Sequence, residues 1–157
     1  VLRSWVDSGG RALLLHNAVG HAGMPTIFLE LATVFPEDRV RSRRIRIANL
    51  DHPLAAMLPT GPVFEVSNED HVLVRPNRLE TAILEPEDAT DPEKALAVAA
   101  RYGSGRVVLC GLRLGQDSTG QDQRISADES RILLGLVEWL TEGCLRGPQP
   151  ERGQEGA

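Results

Sequence analysis

The stretch GGRALLLHN, residues 9–17, holds the strongest fold signal in the chain. Its two glycines end a helical pattern in which apolar residues stand at positions 2, 5 and 6. The apolar run 11–15 that follows is typical of a strand buried on both faces of a parallel sheet. A polar pair, His16 and Asn17, comes directly after this strand. We therefore expect an α/β fold in which the strand at 11–15 brings the His16 imidazole to the end of the sheet where this strand stops.

The composition is that of an ordinary globular chain with an acidic balance. The 157 residues are 41% hydrophobic and carry a net charge of −5, which argues against a nucleic-acid partner. The basic run Arg39–Arg46 is expected to form the solvated face of a strand. No apolar run reaches the roughly 18 residues needed to span a bilayer, so no membrane partner is expected. The chain starts without methionine inside a helical pattern, which indicates a fragment and leaves the compartment open, with the cytoplasm favoured.

Periodicity and turn residues predict the elements in the middle of the chain. Pro25 suits a first helical position, and the apolar stripe that continues to Phe35 predicts a helix there. Residues Val40–Ala48 have the pattern of one strand, with Ile45 and Ile47 on a common face. Short helical turns are expected at 54–58, and short strands at 63–66, 71–74 and 81–84.

The C-terminal part carries the clearest local signals. Gly103-Ser104-Gly105 predicts a tight hairpin between strands at 94–102 and 106–109. Ser126-Ala127-Asp128-Glu129 is a capping box, and apolar residues at helical spacing continue from it to Gly143. Residues 144–157 are expected to be a disordered tail, because their content of Pro, Gln, Glu and Gly buries too little apolar area. These elements predict an α/β sheet with helices on both faces over residues 1–143.

Four stretches, in this order and spacing, resemble the ThuA-like (trehalose-utilisation) family. They are Val6–Gly10 followed by Ala12–Ala18, Asp51–Leu54 with Leu58-Pro59, Tyr102–Val107, and Trp139 in the last helix. The match runs from Val1 to Glu142. It implies a flavodoxin-like, class I glutamine-amidotransferase-like sheet with flanking helices, of which the first strands lie upstream and are missing here.

The resemblance assigns a special position to His16. In amidotransferase-type folds a nucleophile sits on a sharp turn after a buried strand, beside backbone N–H groups that hold an oxyanion. His16 occupies that position, where an imidazole can act as a general base or ligand but is a poor nucleophile. Neither Cys110 nor Cys144 falls there, and two cysteines give no disulfide framework. Glutaminase activity is therefore not expected. From the residues alone, the favoured interpretation of His16 is a strand-end histidine hydrogen-bonded to a neighbouring loop.

The same resemblance supplies candidate ligand-binding residues. Glu69 and Asp70 lie where the family shows an acidic pair, although the order is changed and the aromatic residue that follows is absent. The stretch Leu114-Gly115-Gln116-Asp117 is similar to one that reads Leu-Gly-His-Asp in many members of the family. Gln116 therefore takes the place of the histidine, and Asp117 matches the aspartate. An amide does not titrate, so a proton transfer carried by that histidine would be lost. Asn17 either orients a ligand hydroxyl or closes an Asx turn, and the acidic pair is otherwise an exposed turn.

Four histidines raise a metal-site alternative. His16, His21, His52 and His71 would be completed by Asp51, Glu69 or Asp70 in a metallohydrolase. No two of these histidines have the helical i,i+4 spacing of a zinc face, so no metal and no cofactor are expected. His52 is expected to be structural, in an Asp-His-Pro turn that the aspartate caps.

The expected function is binding of a sugar or sugar-derived ligand at the carboxyl ends of the strands. If the domain is catalytic, His16 would transfer protons together with an acidic group. The alternative is a non-catalytic interaction or scaffold domain of a longer protein, and a homo-oligomer is compatible with either.

Overall fold

The structure, a computed structural model, describes residues 1–20, 25–58, 61–116 and 125–142, and describes residues 36–39 by their backbone alone. Two α-helices and eight strands lie in these ranges. In chain order they are α1 (Leu2–Asp7), β1 (Arg11–Leu15), β2 (Ala32–Arg41), β3 (Arg44–Ile47), β4 (Phe64–Glu65), β5 (Asp70–Pro76), β6 (Ala82–Pro86), β7 (Ala97–Tyr102), β8 (Gly105–Cys110) and α2 (Ala127–Thr141). Short 3₁₀ turns occupy His16–Ala18, Pro53–Met57 and Leu79–Thr81.

The strands form a six-stranded mixed sheet and a separate two-stranded ribbon. The order in the larger sheet is β1-β8-β7-β6-β3-β4, and β2 pairs with β5. β1 and β8 are parallel, whereas the other neighbouring pairs are antiparallel. The chain is thus an α/β protein, as the sequence predicts. The parallel neighbour expected for the strand at 11–15 is present, and the rest of the sheet is antiparallel.

Apolar clusters cover both faces of the larger sheet. Val108 and Cys110 of β8 pack in the same cluster as Ile132 and Leu136 of α2. Alternate residues of β8, such as Val107, pack in a second cluster with residues of α1 and of the β2–β5 ribbon. Because successive side chains of a strand point to opposite faces, the two helices lie on opposite sides of the sheet.

β1 differs from its predicted setting inside a parallel sheet. Within the described residues it has one neighbour, β8, and so lies at the edge of the sheet. Ala12 is its one buried residue, and the three leucines after it are half-buried. The apolar run correctly predicts a strand that packs on both faces, with Leu13 and Leu15 against one cluster and Ala12 and Leu14 against the other, although burial of the leucines is partial.

The predicted helix at residues 25–35 is also wrong. The chain bends up to Leu31 and then enters β2, whose residues 32–34 pair with 74–76 of β5. The carbonyl of Leu29 accepts a hydrogen bond from the Asn77 side chain, and that of Leu31 accepts one from the Asn77 N–H. These carbonyls are therefore committed to β5 instead of a helical ladder.

The predicted strand Val40–Ala48 is divided between two sheets. β2 ends at Arg41 in the ribbon, and β3 begins at Arg44 in the larger sheet. Between them, Ser42 Oγ donates to the Arg44 carbonyl and accepts from the Arg44 N–H, which makes a local turn. Arg44 and Arg46 pair with Glu87 and Glu85 at 2.9 and 2.7 Å, in agreement with a charged outer face.

The C-terminal elements match their predictions. β7 and β8 form the hairpin about Gly103 and Ser104. Ser126 caps α2 through its hydroxyl, and Glu129 returns the bond to the Ser126 N–H, so both halves of the capping box are present. Gly143 and the predicted tail at 144–157 lie outside the described residues.

Candidate functional site

A cleft lies at the carboxyl ends of β1 and β8. Because these strands are parallel and pair Leu15 with Cys110, the segments that leave them emerge side by side. The cleft has a volume of about 380 Å³. It is lined by Leu15, His16, Asn17, Ala18, Leu112, Arg113, Leu114 and Gln116. Three of the predicted site residues, His16, Asn17 and Gln116, are therefore brought together.

His16 directly follows β1 and adopts an unusual backbone conformation. Its φ is 45°, and among the described residues no other non-glycine has a positive φ. The 3₁₀ turn that begins at His16 is closed by the Val19 N–H, which donates to the His16 carbonyl at 3.0 Å. The ring atom Nε2 is shielded from solvent. A left-handed residue on a strand-to-helix turn is the backbone feature of an exposed catalytic elbow.

Arg113 joins a carboxylate to this cleft. Its Nε donates to Gln116 Oε1 at 2.7 Å, and its Nη1 lies 3.7 Å from Asp70 Oδ2. Asp70 in turn begins β5, where its N–H donates to Asn68 Oδ1 at 2.7 Å. Sequence reasoning missed Arg113, because an isolated arginine after a strand gives no signal of the acidic partner that the fold brings to it.

His71 lies behind Arg113 and is buried. Its Nε2 is 2.8 Å from the Ser42 carbonyl, and the Arg113 N–H points to its Nδ1 at 3.4 Å. Burial lowers the pKa of His71; the Ser42 carbonyl partly offsets this effect, and the nearby His16 lowers the pKa further. A neutral ring that donates from Nε2 and accepts at Nδ1 fits both contacts.

The cleft lining includes neither of the two predicted acidic residues that the structure describes, Glu69 and Asp70. Glu69 is half-exposed and lies 3.9 Å from Arg43 Nε, and it does not line the cleft. Asp117 lies outside the described residues. Asp70 therefore stands as the acidic group that Arg113 links to the cleft.

The metal alternative finds no cluster in the described part of the chain. No three His, Cys, Asp or Glu residues there are grouped so as to hold an ion. His52 Nδ1 accepts from the Leu54 N–H at 3.1 Å, and burial lowers the pKa of His52 despite its bond to the Ala99 backbone. The cap of this turn is therefore the His52 side chain, and the expected cap by the aspartate is wrong. His21 lies outside the described residues.

Cys110 is fully buried in β8 as a thiol. Burial raises its pKa to about 12, so the reactive thiolate is almost absent at neutral pH. In a Cys144→Ser variant, which keeps Cys110 alone, we expect no reaction with Ellman's reagent until the protein is unfolded in urea. Rapid labelling of the folded variant would contradict the burial of this thiol.

Comparison with protein-family models, curated proteins and solved structures finds no match to this chain. The class that the fold defines is a mixed α/β domain with a strained histidine at the carboxyl end of an edge strand. Within the described residues, no helix combines the length and apolarity that crossing a bilayer requires.

Proposed function

We propose that the chain is a ThuA-like α/β domain that binds a sugar or sugar-derived ligand in the cleft at the ends of β1 and β8. In this proposal the parallel pair of β1 and β8 corresponds to part of a flavodoxin-like, class I glutamine-amidotransferase-like sheet. The observation that carries the proposal is the left-handed φ of His16 in a cleft shared with Asn17 and Gln116. Strain of this kind is retained where the surrounding structure uses it.

The polar groups of the cleft suit hydroxyl ligands. Asn17 and Gln116 offer amide donors and acceptors, and Arg113 adds a donor that the Asp70 carboxylate orients. Neighbouring donors and acceptors of this kind match a sugar hydroxyl, which both donates and accepts. A role in the use of a trehalose-type sugar follows from the family resemblance.

Glutaminase chemistry is excluded from the proposal because no described thiol reaches the elbow. His16 stands there, and Cys110 is buried inside β8. The imidazole is the group that would accept a proton from a bound hydroxyl.

A ligand-binding test compares two substitutions of His16. We expect glucose, trehalose or a related sugar to raise the melting temperature of the parent, and we expect His16→Gly and His16→Ala to abolish that rise. In the absence of sugar, His16→Gly is expected to be about 1 kcal/mol more stable than His16→Ala, because glycine adopts a positive φ without strain. Differential scanning fluorimetry measures both effects. No sugar-dependent shift in the parent across a panel of mono- and disaccharides would contradict the proposal.

One observation favours the alternative of a non-catalytic interaction domain. Gln116 Oε1 is engaged by Arg113, and an amide at this position transfers no proton. If the chain is a non-catalytic interaction domain, the Gln116→His variant should show no pH-dependent affinity for sugar. If the cleft is a sugar site, the new histidine should make the affinity for sugar depend on pH. Isothermal titration at pH 5.5 and 7.5 distinguishes the two.

A further inference from the structure

A second cavity lies where β7 ends and β8 begins, away from the His16 cleft. Pairing between β6 and β7 ends at Ala82 and Val98, whereas β7 continues to Tyr102. The space beside this unpaired end of β7, which we call the β7 slot, has a volume of about 590 Å³. A volume of this size accommodates a ligand of a few residues.

The walls of the β7 slot come from both faces of the sheet. On one side stand His52 and Trp139, the latter held by Arg106, whose guanidinium lies 4.9 Å from the indole centre. On the other side stand Glu30 and Tyr102. The segment 78–81 closes the end. Ala99 and Ala100, both buried, form the base with small side chains, and Arg101 beside them is exposed.

The backbone of β7 presents hydrogen-bonding groups to this slot. Leu96 accepts from the Gly111 N–H at 2.7 Å, and the Arg106 N–H turns away from β7 to Gly10. In an antiparallel ladder the direction of the N–H and C=O groups alternates from one residue to the next. Residues 98, 100 and 102 therefore face β8, and residues 99 and 101 face the slot. The bond between His52 and the Ala99 backbone agrees with this direction.

At Arg101 this leaves both a donor and an acceptor open. No hydrogen bond to the Arg101 backbone from the slot side occurs among residues 1–20, 25–58, 61–116 and 125–142. A single residue that offers its N–H and its C=O in strand geometry is complementary to another peptide backbone, which pairs through both groups.

Three arginines and three glutamates line the slot, and ion pairs engage two of the glutamates. Glu30 pairs with Arg3, and Glu142 pairs with Arg106 at 3.2 Å. Arg78 and Arg101 are exposed, and neither has a carboxylate within ion-pair distance in the part of the chain that the structure describes. Two such arginines and one remaining acid, Glu80, favour an anionic occupant.

We propose that the β7 slot binds an extended acidic peptide segment, which adds antiparallel to β7 in line with β6. One residue of the segment pairs with the Arg101 backbone, and its acidic side chains meet Arg78 and Arg101. Because the slot lies at the start of β8 and the His16 cleft lies beyond its end, this binding is independent of any sugar ligand.

The test uses the full chain and two blocked five-residue peptides, one alternating glutamate with valine and one alternating lysine with valine. We expect the glutamate peptide to bind with a dissociation constant below about 1 mM and the lysine peptide to bind at least about tenfold more weakly. In an amide NMR titration the signals of residues 99–102 should shift, while those of His16 and Asn17 should not. Equal affinity for both peptides, no binding, or shifts confined to the His16 cleft would each overturn the proposal.

Variants separate the contribution of the backbone from that of the charge. Arg78→Glu and Arg101→Glu should each weaken the glutamate peptide about tenfold, whereas Arg131→Glu, on the exposed face of α2, should change it less than about twofold. Arg101→Pro removes the slot-facing N–H without taking a bond from β8, and it should bind more weakly than Arg101→Ala. Melting temperatures establish that each variant folds, and if Arg101→Pro does not, the charge reversals decide.

A second copy of the chain is the competing occupant. Sedimentation velocity over a range of concentrations measures it directly. A dimer that Arg101→Glu abolishes and that excludes the glutamate peptide would assign the slot to self-association and overturn the peptide proposal.

Discussion

Replacing Gly111 with alanine is expected to destabilise the fold by about 3 kcal/mol or more. A Cβ atom at this position would lie 1.8 Å from the carbonyl oxygen of Val72 and 2.8 Å from its carbonyl carbon. Neither backbone can easily move away, because the Val72 N–H donates to the Gly111 carbonyl at 3.0 Å and the Gly111 N–H donates to Leu96 at 2.7 Å. Gly111 is thus the point at which β5 crosses the end of β8.

Urea denaturation of Gly111→Ala measures this effect, and Gly115→Ala is the matched control. Gly115 has a φ of 75° but nothing within 4 Å of an added Cβ, so its replacement should cost about 1 kcal/mol from backbone strain alone. A Gly111→Ala variant no less stable than Gly115→Ala would mean that β5 does not approach β8 as described.

The second large effect is expected for Glu129→Ala, at about 3 kcal/mol. Glu129 is fully buried at the start of α2. Its Oε1 accepts from the Ser67 N–H at 3.1 Å, and its Oε2 accepts from the Ser67 hydroxyl at 3.0 Å and the Ser126 N–H at 2.8 Å. Alanine would remove half of the capping box and leave these donors without their acceptor.

The contribution of Glu129 also depends on pH. Burial acts to raise the pKa of Glu129, but the hydrogen bonds from Ser126 and Ser67 outweigh it and leave the pKa below its ordinary value. A carboxyl group with a lowered pKa in the folded state stabilises above its unfolded pKa, and that stability is lost as the pH falls through the folded value. The parent should therefore lose its advantage over Glu129→Gln as the pH falls below about 4.3, the ordinary pKa of a glutamate.

Urea denaturation at pH 7 and pH 3 measures this convergence. Glu138→Gln is the control, because Glu138 is exposed on the same helix. A difference between the parent and Glu129→Gln that stays constant from pH 7 to pH 3, or a convergence that Glu138→Gln reproduces, would contradict the role assigned to the buried carboxylate.

The elements that the sequence predicts well are those with local signals. The capping box at Ser126 and Glu129 and the turn at Gly103-Ser104 lie within a few residues of what they specify. The apolar stripe after Pro25 is compatible with a helix or with a strand on a curved ribbon. Which of the two forms is decided by β5, which lies far along the chain and pairs with residues 32–34.

Part of the candidate site is likewise predictable from the sequence, and part depends on the tertiary fold. His16, Asn17 and Gln116 follow strands, and the parallel pairing of β1 with β8 is enough to bring them together. Arg113 was missed, and His71 was considered only as a metal ligand, because their roles depend on contacts between β5 and the segment after β8. Such contacts arise from the tertiary fold and leave no periodic trace in the sequence.

The parallel pair has a consequence for how the chain folds. Arg11 of β1 pairs with Arg106 of β8, which lies 95 residues later in the chain, so β1 has no described partner until β8 has been synthesised. The hairpin of β7 and β8 can form early from neighbouring residues, and β1 can dock on it only afterwards. Until that docking, the three leucines of β1 lack the strand that they pair with in the folded chain.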